Sequence, residues 1–313
     1  MSVARAGEFG LIERVTARLP TGPTVLVGPG DDGAVVAAPD GRVVASTDVL
    51  VEGRHFRRDW SSATDVGHRA AAANLADIAA MGATPTALLV ALCVPPGLDA
   101  QWAEELADGL AAESALVGAC VVGGDMSSSP TMTIAVTALG DLGGRHPVLR
   151  SGARPGDVLA MAGRIGYAAA GYTVLSRGFR TPKVLVEAYR RPRVRYVAGP
   201  EAAQLGATAM IDISDGLVAD LGHLATASGV GIDVRRDAFE VPDQMRDAAS
   251  ALGVDPYAWI LTGGDDHPLV ATFPAGADLP ESWRVIGSAC HGSGVTVDGR
   301  PYRDGPAGWD HFR

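Results

Sequence analysis

The sequence predicts a mixed α/β (α+β) protein of two domains, and three observations support this class. The chain has 313 residues, 47% of them apolar, with a mean hydropathy of +0.14. This length and composition allow a large core and are typical of two domains. Short β-branched runs alternate with alanine-rich helical stretches. After a polar, turn-rich segment near Leu149 this alternation restarts, which predicts domains over 1–148 and 149–313.

Helices and strands alternate through the first half. The predicted helices cover 8–19, 65–81 and 99–117, and the predicted strands cover 24–27, 42–47, 86–94, 119–122 and 131–140. Thr64 is the expected N-cap and Gly82 the expected stop of the second helix, on which Asn74 and Asp77 share a face. Asp48 is expected where its strand ends, and the glycines of GGD are expected to open a loop after the strand 119–122.

The second half follows the same pattern of strand, loop and helix. A glycine loop, GRIG, opens a helix over 168–176. The stretch 207–229 predicts a strand, an acidic turn and a helix that stops at Gly229. The stretch 261–273 predicts an acidic loop followed by a strand. These elements predict an α/β C-terminal domain.

Charge and composition exclude several classes of protein. The formal charge is −10, the isoelectric point is near 5.1 and no lysine- or arginine-rich run occurs, so nucleic acid is not an expected partner. The longest apolar runs are too short to span a bilayer, and the charged N-terminus does not resemble a signal peptide. Three distant cysteines without a CxxC motif are expected to be reduced thiols. We therefore expect a cytoplasmic protein without a membrane partner.

Acidic residues follow glycines three times, in GPGDDG (28–33), GGD (123–125) and GGDD (263–266). Clustered carboxylates need a counter-charge, which points to cations, whereas the plainer interpretation is that Asp and Gly favour turns and caps. A turn or helix cap needs only one Asp, whereas two of these motifs contain two adjacent Asp residues that repel each other. Carboxylates without His or Cys companions suit Mg²⁺ or Mn²⁺ rather than Zn²⁺, and several such ions would suit a polyphosphate ligand.

Other site classes lack their signatures. An EF-hand loop and a Walker A loop are both absent from the sequence. Nucleophilic triads that use His55, His68 or His223 lack a local motif. Phosphoryl transfer assisted by Mg²⁺ therefore remains the favoured chemistry.

Nine segments together resemble the thiamine-monophosphate kinase family, in the superfamily of aminoimidazole ribonucleotide synthetase. They occur in the family's order and cover nearly the whole chain: GEFGLI, GPGDDGAV, ASTDVLVEGRHF, NLADIAAMGATP, GGDMSSSP, RSGARPGDVL, IDISDGLVADLGHL, LTGGDD and GWDHF. The resemblance implies the superfamily's two-domain fold. Its N-terminal domain binds ATP and Mg²⁺ and contributes its sheet to a barrel-like homodimer core. The implied activity is ATP-dependent phosphorylation of thiamine monophosphate to thiamine diphosphate.

The resemblance also implies roles for residues at matching positions. The implied ligands of several Mg²⁺ ions are Asp31, Asp32, Ser46, Thr47, Asp48, Asp77, Asp125, Asp212 and Asp215. The implied ATP contacts are Gly124, Asp125, Arg150 and Ser214, and the implied catalytic residues are Asp77, Asp125, Arg150 and Asp212. The implied contacts with the thiamine substrate are His55, Asp265 and Trp309.

The sequence departs from the family at one motif. The family usually has GGEDYE where this chain has GGDDHP, which shortens the acidic residue at Asp265 and places His267 where Tyr is usual. Two alternatives stay open. One is a sister enzyme acting on a formyl-amidine ribonucleotide, selenide or a carbamoyl group. The other is a non-catalytic nucleotide or metal binder.

Overall fold

The computed structural model describes residue 5 and residues 8–28, 34–303, 305 and 307–309. The chain divides into two compact units, unit 1 (Met1–Ile78 and Ala83–Gly144) and unit 2 (Ala79–Gly82 and Arg145–Arg313). Asp31 and Asp32 of the first acidic pair lie outside the described residues. Within the described part of the chain, no helix combines the length and apolar character needed to cross a membrane.

Unit 1 combines helices with a hairpin and a four-stranded sheet. Its helices are α1 (Glu8–Thr16), α2 (Ala63–Ala80) and α3 (Ala100–Ala115), and its strands are β1 (Val25–Val27), β2 (Val35–Val36), β3 (Val44–Val51), β4 (Thr84–Val94), β5 (Cys120–Ser128) and β6 (Thr133–Asp141). The sheet has the order β3-β6-β4-β5, with β4 and β5 parallel and the other pairs antiparallel. It is therefore an open sheet within one chain, with β3 and β5 at its edges.

The two faces of this sheet differ in burial. Along β6, Ile134, Val136 and Ala138 are buried, and they alternate with half-buried residues such as Ala135 and Thr137. This period of two is the pattern of a sheet with one covered face. We call the second, half-buried face the open face of unit 1. Val49 of β3 lies on it and is 46% exposed.

Helix α2 begins with a reciprocal cap that differs from the predicted one. The Ser62 N–H donates to Asp65 Oδ2 (3.0 Å), and the Asp65 N–H donates to Ser62 Oγ (3.2 Å). Thr64 is therefore not the N-cap. Gly82 adopts a left-handed φ of 74° just beyond the helix, as predicted for its stop. Helix α3 is capped by Asp99, whose side chain accepts the Gln101 N–H.

Two predicted strands in unit 1 were too short. Strand β3 continues to Val51, so Asp48 lies within the strand rather than at its end. Strand β5 continues through Gly123, Gly124 and Asp125 to Ser128, so GGD does not form a loop. In both cases ladder pairing with a neighbouring strand outweighs the local turn preference of Asp and Gly.

Unit 2 contains a mixed seven-stranded sheet with helices around it. Its helices are α4 (Tyr167–Ser176), α5 (Lys183–Arg190), α6 (Ala198–Gln204), α7 (Leu217–Ser228), α8 (Asp243–Leu252) and α9 (Pro256–Thr262). Its strands are β7 (Val158–Ala162), β8 (Ala209–Asp212), β9 (Gly231–Val234), β10 (Leu269–Phe273), β11 (Arg284–Cys290), β12 (Gly294–Val297) and β13 (Arg300–Pro301). The order is β13-β12-β9-β11-β7-β10-β8.

The acidic loops of unit 2 follow the predicted pattern. Strand β8 ends at Asp212, and α7 runs from the next loop to Gly229, whose φ of 67° confirms it as the stop. Strand β10 pairs antiparallel with β8 and places Leu269 opposite Asp212. The loop before β10 therefore lies beside the loop after β8. This pairing brings the ISDG and GGDD motifs together.

Candidate active site

In unit 1, a strand and a helix bring three of the predicted metal ligands together. Ser46 Oγ donates to Asp77 Oδ2 (2.6 Å), and the Asp48 N–H donates to Asn74 Oδ1 (3.0 Å). The amide of Asn74 in turn donates to the Ala70 carbonyl (2.9 Å). Asn74 and Asp77 therefore share the face of α2 that meets β3, as their spacing predicted. We call Ser46, Asp48, Asn74 and Asp77 the β3–α2 cluster.

Thr47 points to the opposite face of the sheet. Its hydroxyl donates to the Val136 carbonyl (2.9 Å) and accepts from Thr137 Oγ1 (3.2 Å). Successive residues of a strand alternate between faces, so Thr47 cannot share a surface with Ser46 and Asp48. Within unit 1, the STD motif therefore divides between the covered and the open face.

Asp125 also lies on the open face. Strand register aligns Asp125 with Ala91, Ala135 and Val49 across the sheet, one residue out of phase with Asp48. Three strand spacings, about 14 Å, separate the backbones of β3 and β5. The structure therefore does not bring Asp125 to the β3–α2 cluster of the same chain.

Gly124 allows the close approach of β5 to β4. A Cβ at this position would lie 1.9 Å from the Val90 carbonyl oxygen. Gly124 and Asp125 also line a largely apolar cavity of about 900 Å³ in unit 1, to which Leu89 and Thr137 contribute. Glycine at this position is thus required by the sheet itself, whatever its role towards nucleotide.

His55 forms part of a turn at the end of β3. Its Nδ1 accepts the Val51 N–H (2.9 Å), and its own N–H donates to the Val51 carbonyl (2.9 Å). Because Nδ1 accepts, a neutral ring carries its proton on Nε2. His55 therefore has a structural role in this turn. Any contact of its ring with the substrate has to coexist with the hydrogen bond at Nδ1.

In unit 2, three segments are joined by main-chain hydrogen bonds. The Asp265 N–H donates to the Ser214 carbonyl (2.9 Å), and the Trp309 N–H donates to the Asp215 carbonyl (2.9 Å). Gly264 packs so closely that a Cβ there would lie 1.9 Å from the Ser214 oxygen. These bonds place predicted metal, ATP and substrate residues beside each other: Asp212, Ser214, Asp215, Asp265 and Trp309.

Two residues outside the predicted set of site residues support this loop cluster. Asp220 Oδ2 accepts the N–H groups of Ser214, Asp215 and Gly216 at 3.0 to 3.1 Å. His267 Nδ1 lies 3.1 Å from Asp212 Oδ2, and both side chains are buried. The signal for Asp220 was its place in the first turn of α7, from which an acidic side chain can reach back to N–H groups at and before the N-cap.

Burial changes the protonation of two carboxyl groups in unit 2. Burial, followed by the charge of Asp212, raises the pKa of Asp220 to about 7, against the lowering effect of its backbone hydrogen bonds. Burial also raises the pKa of Asp266 to about 7, although Asp266 accepts the Ala168 N–H at the start of α4. Asp266 is 2% exposed and was expected only as part of an acidic loop.

Arg150 follows a residue that pairs near the start of β8, whereas Asp212 ends that strand. The Arg150 side chain is exposed, and the carbonyl of the preceding Leu149 accepts the Met210 N–H (2.9 Å) near the start of the strand. The carbonyl of Arg150 accepts from Ser228 Oγ (2.9 Å). The backbone of Arg150 is therefore fixed while its guanidinium faces outwards.

The oxygen donors fit Mg²⁺ by their chemistry. Among the described residues, no three His, Cys, Asp or Glu side chains form a group suited to a metal ion. Mg²⁺, however, usually takes one or two carboxylates and completes its shell with water and phosphate oxygens. The β3–α2 cluster offers such oxygens. In unit 2, the negative charge of Asp212 helps to raise the pKa of Asp220, and a cation would offset that charge.

Comparison with known proteins identifies the family. Residues 30–142 match the AIR synthase related protein N-terminal domain, and residues 154–260 match the corresponding C-terminal domain. The chain is 47% identical over 313 residues to thiamine-monophosphate kinase of Mycobacterium tuberculosis (strain H37Rv), covering 99% of this chain and 93% of that protein. It is 41% identical to the enzyme of the same name from Corynebacterium glutamicum, covering 95% and 91%.

A solved structure has the same fold. This is the structure of AaThiL complexed with AMPPCP and TMP. Its sequence is 32% identical to this chain, and the TM-score is 0.81. The match covers 100% of this chain and 99% of AaThiL. The two-domain fold implied by the sequence motifs is thus confirmed. The chain belongs to the thiamine-monophosphate kinase family of AIR synthase related proteins.

Proposed function

We propose that this protein transfers the γ-phosphoryl group of ATP to thiamine monophosphate, giving thiamine diphosphate and ADP. The observation that carries the proposal is the near full-length similarity to proteins named thiamine-monophosphate kinase. The solved relative AaThiL, complexed with AMPPCP and TMP, gives independent support, because it holds an ATP analogue together with a second ligand. The sister activities of the superfamily lack comparable support.

The reaction needs little from the protein besides positioning and charge. An oxygen of the substrate phosphate attacks the γ-phosphorus of ATP in line, one P–O bond forms, and the bond to the β-phosphate oxygen breaks as ADP leaves. The attacking oxygen is already anionic at neutral pH and needs no strong general base. No covalent enzyme intermediate is required. The main barrier is repulsion between two phosphates, which positive groups offset.

Acidic residues of both units, with two hydroxyl residues of unit 1, are assigned to Mg²⁺. Mg²⁺ bound to ATP supplies charge neutralisation of the phosphates. In unit 1 the proposed ligands are Asp31, Asp32, Ser46, Asp48 and Asp77, together with Thr47 and Asp125, which lie on the open face and would serve a different ion from the β3–α2 cluster of the same chain. In unit 2 they are Asp212 and Asp215. Ser46 and Asn74 orient the β3–α2 cluster by their hydrogen bonds.

The remaining assignments concern ATP and the thiamine substrate. Gly124, Asp125, Arg150 and Ser214 are proposed ATP contacts, and the exposed guanidinium of Arg150 suits a phosphate. His55, Asp265 and Trp309 are proposed substrate contacts. Half of the Trp309 surface is exposed, which leaves area for stacking on an aromatic ligand.

We further propose that the protein is a cytoplasmic homodimer. The open face of unit 1 carries half-buried and exposed apolar side chains, among them Val49 and Leu89, which a second copy can cover. Unit 1 thus serves ATP and Mg²⁺ binding and dimerisation, with unit 2 as the C-terminal α/β domain.

Incubation of the pure protein with ATP, Mg²⁺ and thiamine monophosphate tests the activity. Chromatographic separation of the thiamine phosphates should show thiamine diphosphate and ADP in equal amounts, lost with EDTA and absent when free thiamine replaces the monophosphate. A folded protein that binds ATP but forms no thiamine diphosphate would refute the proposal and redirect attention to the sister substrates.

A further inference from the structure

His267 occupies an unusual backbone position beside Asp212. The His267 N–H donates to the Ile213 carbonyl (3.2 Å), and the Ile213 N–H donates to the Pro268 carbonyl (3.0 Å), so the β8–β10 ladder continues past Asp212. His267 adopts a φ of 51°, in the left-handed region. Among non-glycine residues, Asn, Asp and His enter this region most readily. The backbone therefore holds the imidazole against the end of β8.

The contact between the two side chains is buried on both sides. His267 is 5% exposed and Asp212 is 4% exposed, and His267 Nδ1 lies 3.1 Å from Asp212 Oδ2. An ionised carboxylate only accepts hydrogen bonds, so Nδ1 carries the proton in this pair. A buried carboxylate is costly unless such a donor compensates it. The imidazole thus both stabilises the charge of Asp212 and restricts its rotamer.

This contact depends on the residue that departs from the family pattern. The motif GGDDHP has His267 where the family usually has Tyr. Tyrosine has no hydrogen-bonding atom next to Cγ, whereas Nδ1 of histidine is bonded directly to Cγ. A Tyr side chain at this backbone position could not repeat the Nδ1–Oδ2 contact. The contact is therefore a feature of this chain's own sequence.

We propose that His267 is a positioning residue that fixes the Asp212 carboxylate for metal and nucleotide binding. This inference rests on the proposed function, in which Asp212 is a Mg²⁺ ligand. A donor behind a ligating carboxylate sets the orientation of that ligand, and loss of such a partner typically reduces metal affinity or activity about 10- to 100-fold. His267 itself need not touch ATP or the thiamine substrate.

The first test measures the ring protonation directly. We would record ¹⁵N NMR of the imidazole in the metal-free protein, where the Nδ1–H and Nε2–H forms differ in chemical shift. The expected result is a hydrogen-bonded Nδ1–H for His267, which is lost in Asp212→Ala. An Nδ1 without a proton, or a signal insensitive to Asp212→Ala, would overturn the proposal. This readout does not depend on the protein being a kinase.

The second test uses two variants that differ in hydrogen bonding. His267→Ala removes the donor. His267→Asn retains an N–H donor bonded to Cγ and tolerates the positive φ. Mn²⁺ binding without substrates, followed by electron paramagnetic resonance, should weaken about tenfold in His267→Ala and return to within about threefold of wild type in His267→Asn.

Kinetics separate positioning from packing. In His267→Ala we expect kcat to fall about tenfold while the KM for thiamine monophosphate stays within about twofold, with recovery of kcat in His267→Asn. Equal losses in both folded variants, or no loss in either, would refute the positioning role. If His267→Ala does not fold, His267→Asn and the NMR measurement still decide the question. Absent kinase activity with the expected NMR and Mn²⁺ results would refute only the proposed function.

Discussion

In unit 1 the acidic cluster is carried by a strand and a helix, whereas in unit 2 it is carried by three loop segments. Ser46 and Asp48 lie on β3, and Asp77 lies on α2. The regular main-chain hydrogen bonds of the sheet and of the helix fix the backbone at these three residues. Asp212 ends β8, and the neighbouring Ser214 and Asp215 depend on hydrogen bonds from distant segments. Regular elements position side chains by their period, and loops do so by specific contacts. The second arrangement therefore depends more on individual residues.

The contacts among the loops give the largest expected effect. Gly264→Ala would place a Cβ 1.9 Å from the Ser214 carbonyl oxygen, so one of the two loops must move. We expect a loss of about 3 kcal/mol or more in the free energy of unfolding of unit 2. Urea unfolding measures it.

The matched control for Gly264 lies in the same unit. A Cβ at Gly222, inside α7, would meet no atom within 4 Å. Gly222→Ala should stabilise the protein by about 0.5–1 kcal/mol, because alanine loses less backbone freedom than glycine. Equal effects of the two substitutions would show that the loop contact does not limit stability.

Removal of charge from the β3–α2 cluster gives the next largest effect. Asp77→Asn retains an oxygen that can accept from Ser46 but loses the negative charge. We expect kcat to fall about 100-fold or more, with an unchanged unfolding curve, because a helix holds the side chain in place. Steady-state kinetics with ATP and thiamine monophosphate measure it. Asp59→Asn, at an exposed surface position, is the control and should keep full activity.

The difference between the units also explains what the sequence could predict. The shared face of Asn74 and Asp77 follows from the helical period, and the structure confirms it. The extension of β3 and β5 through Asp48 and Gly124 was missed, because pairing with non-local strands is invisible in a local pattern. The contact between His267 and Asp212 was also missed, since it joins residues 55 positions apart. Prediction of this loop cluster requires the register in which β8 pairs with β10, and the sequence motifs do not indicate that register.

The buried carboxyl of Asp266 gives unit 2 a pH dependence. Its pKa is about 7 in the folded protein, against an ordinary value of 3.8, so between these values the folded state holds a proton that the unfolded state has released. Stability should therefore fall as pH rises through this window. One such proton makes the free energy of unfolding fall by about 1.4 kcal/mol per pH unit. Asp266→Asn should remove this contribution between pH 5 and pH 6.

Urea unfolding at pH 5 and pH 6 provides the measurement for Asp266. Asp278→Asn is the control, since Asp278 is exposed and its substitution should leave the slope unchanged. Asparagine retains an acceptor for the Ala168 N–H, so Asp266→Asn should still fold. A slope identical to that of the wild type would mean that Asp266 is ionised in the folded protein at both pH values.

His55 gives the smallest expected effect and separates its two roles. Asparagine places Oδ1 near the position of the imidazole Nδ1, so His55→Asn can keep the hydrogen bond from the Val51 N–H, whereas His55→Ala cannot. If Nε2 contacts the thiamine substrate, both variants should raise the KM for thiamine monophosphate about 3- to 10-fold, the range for one lost hydrogen bond. The KM for ATP should stay constant. A normal KM in His55→Asn alone would assign His55 to the turn at the end of β3 and remove it from the substrate contacts.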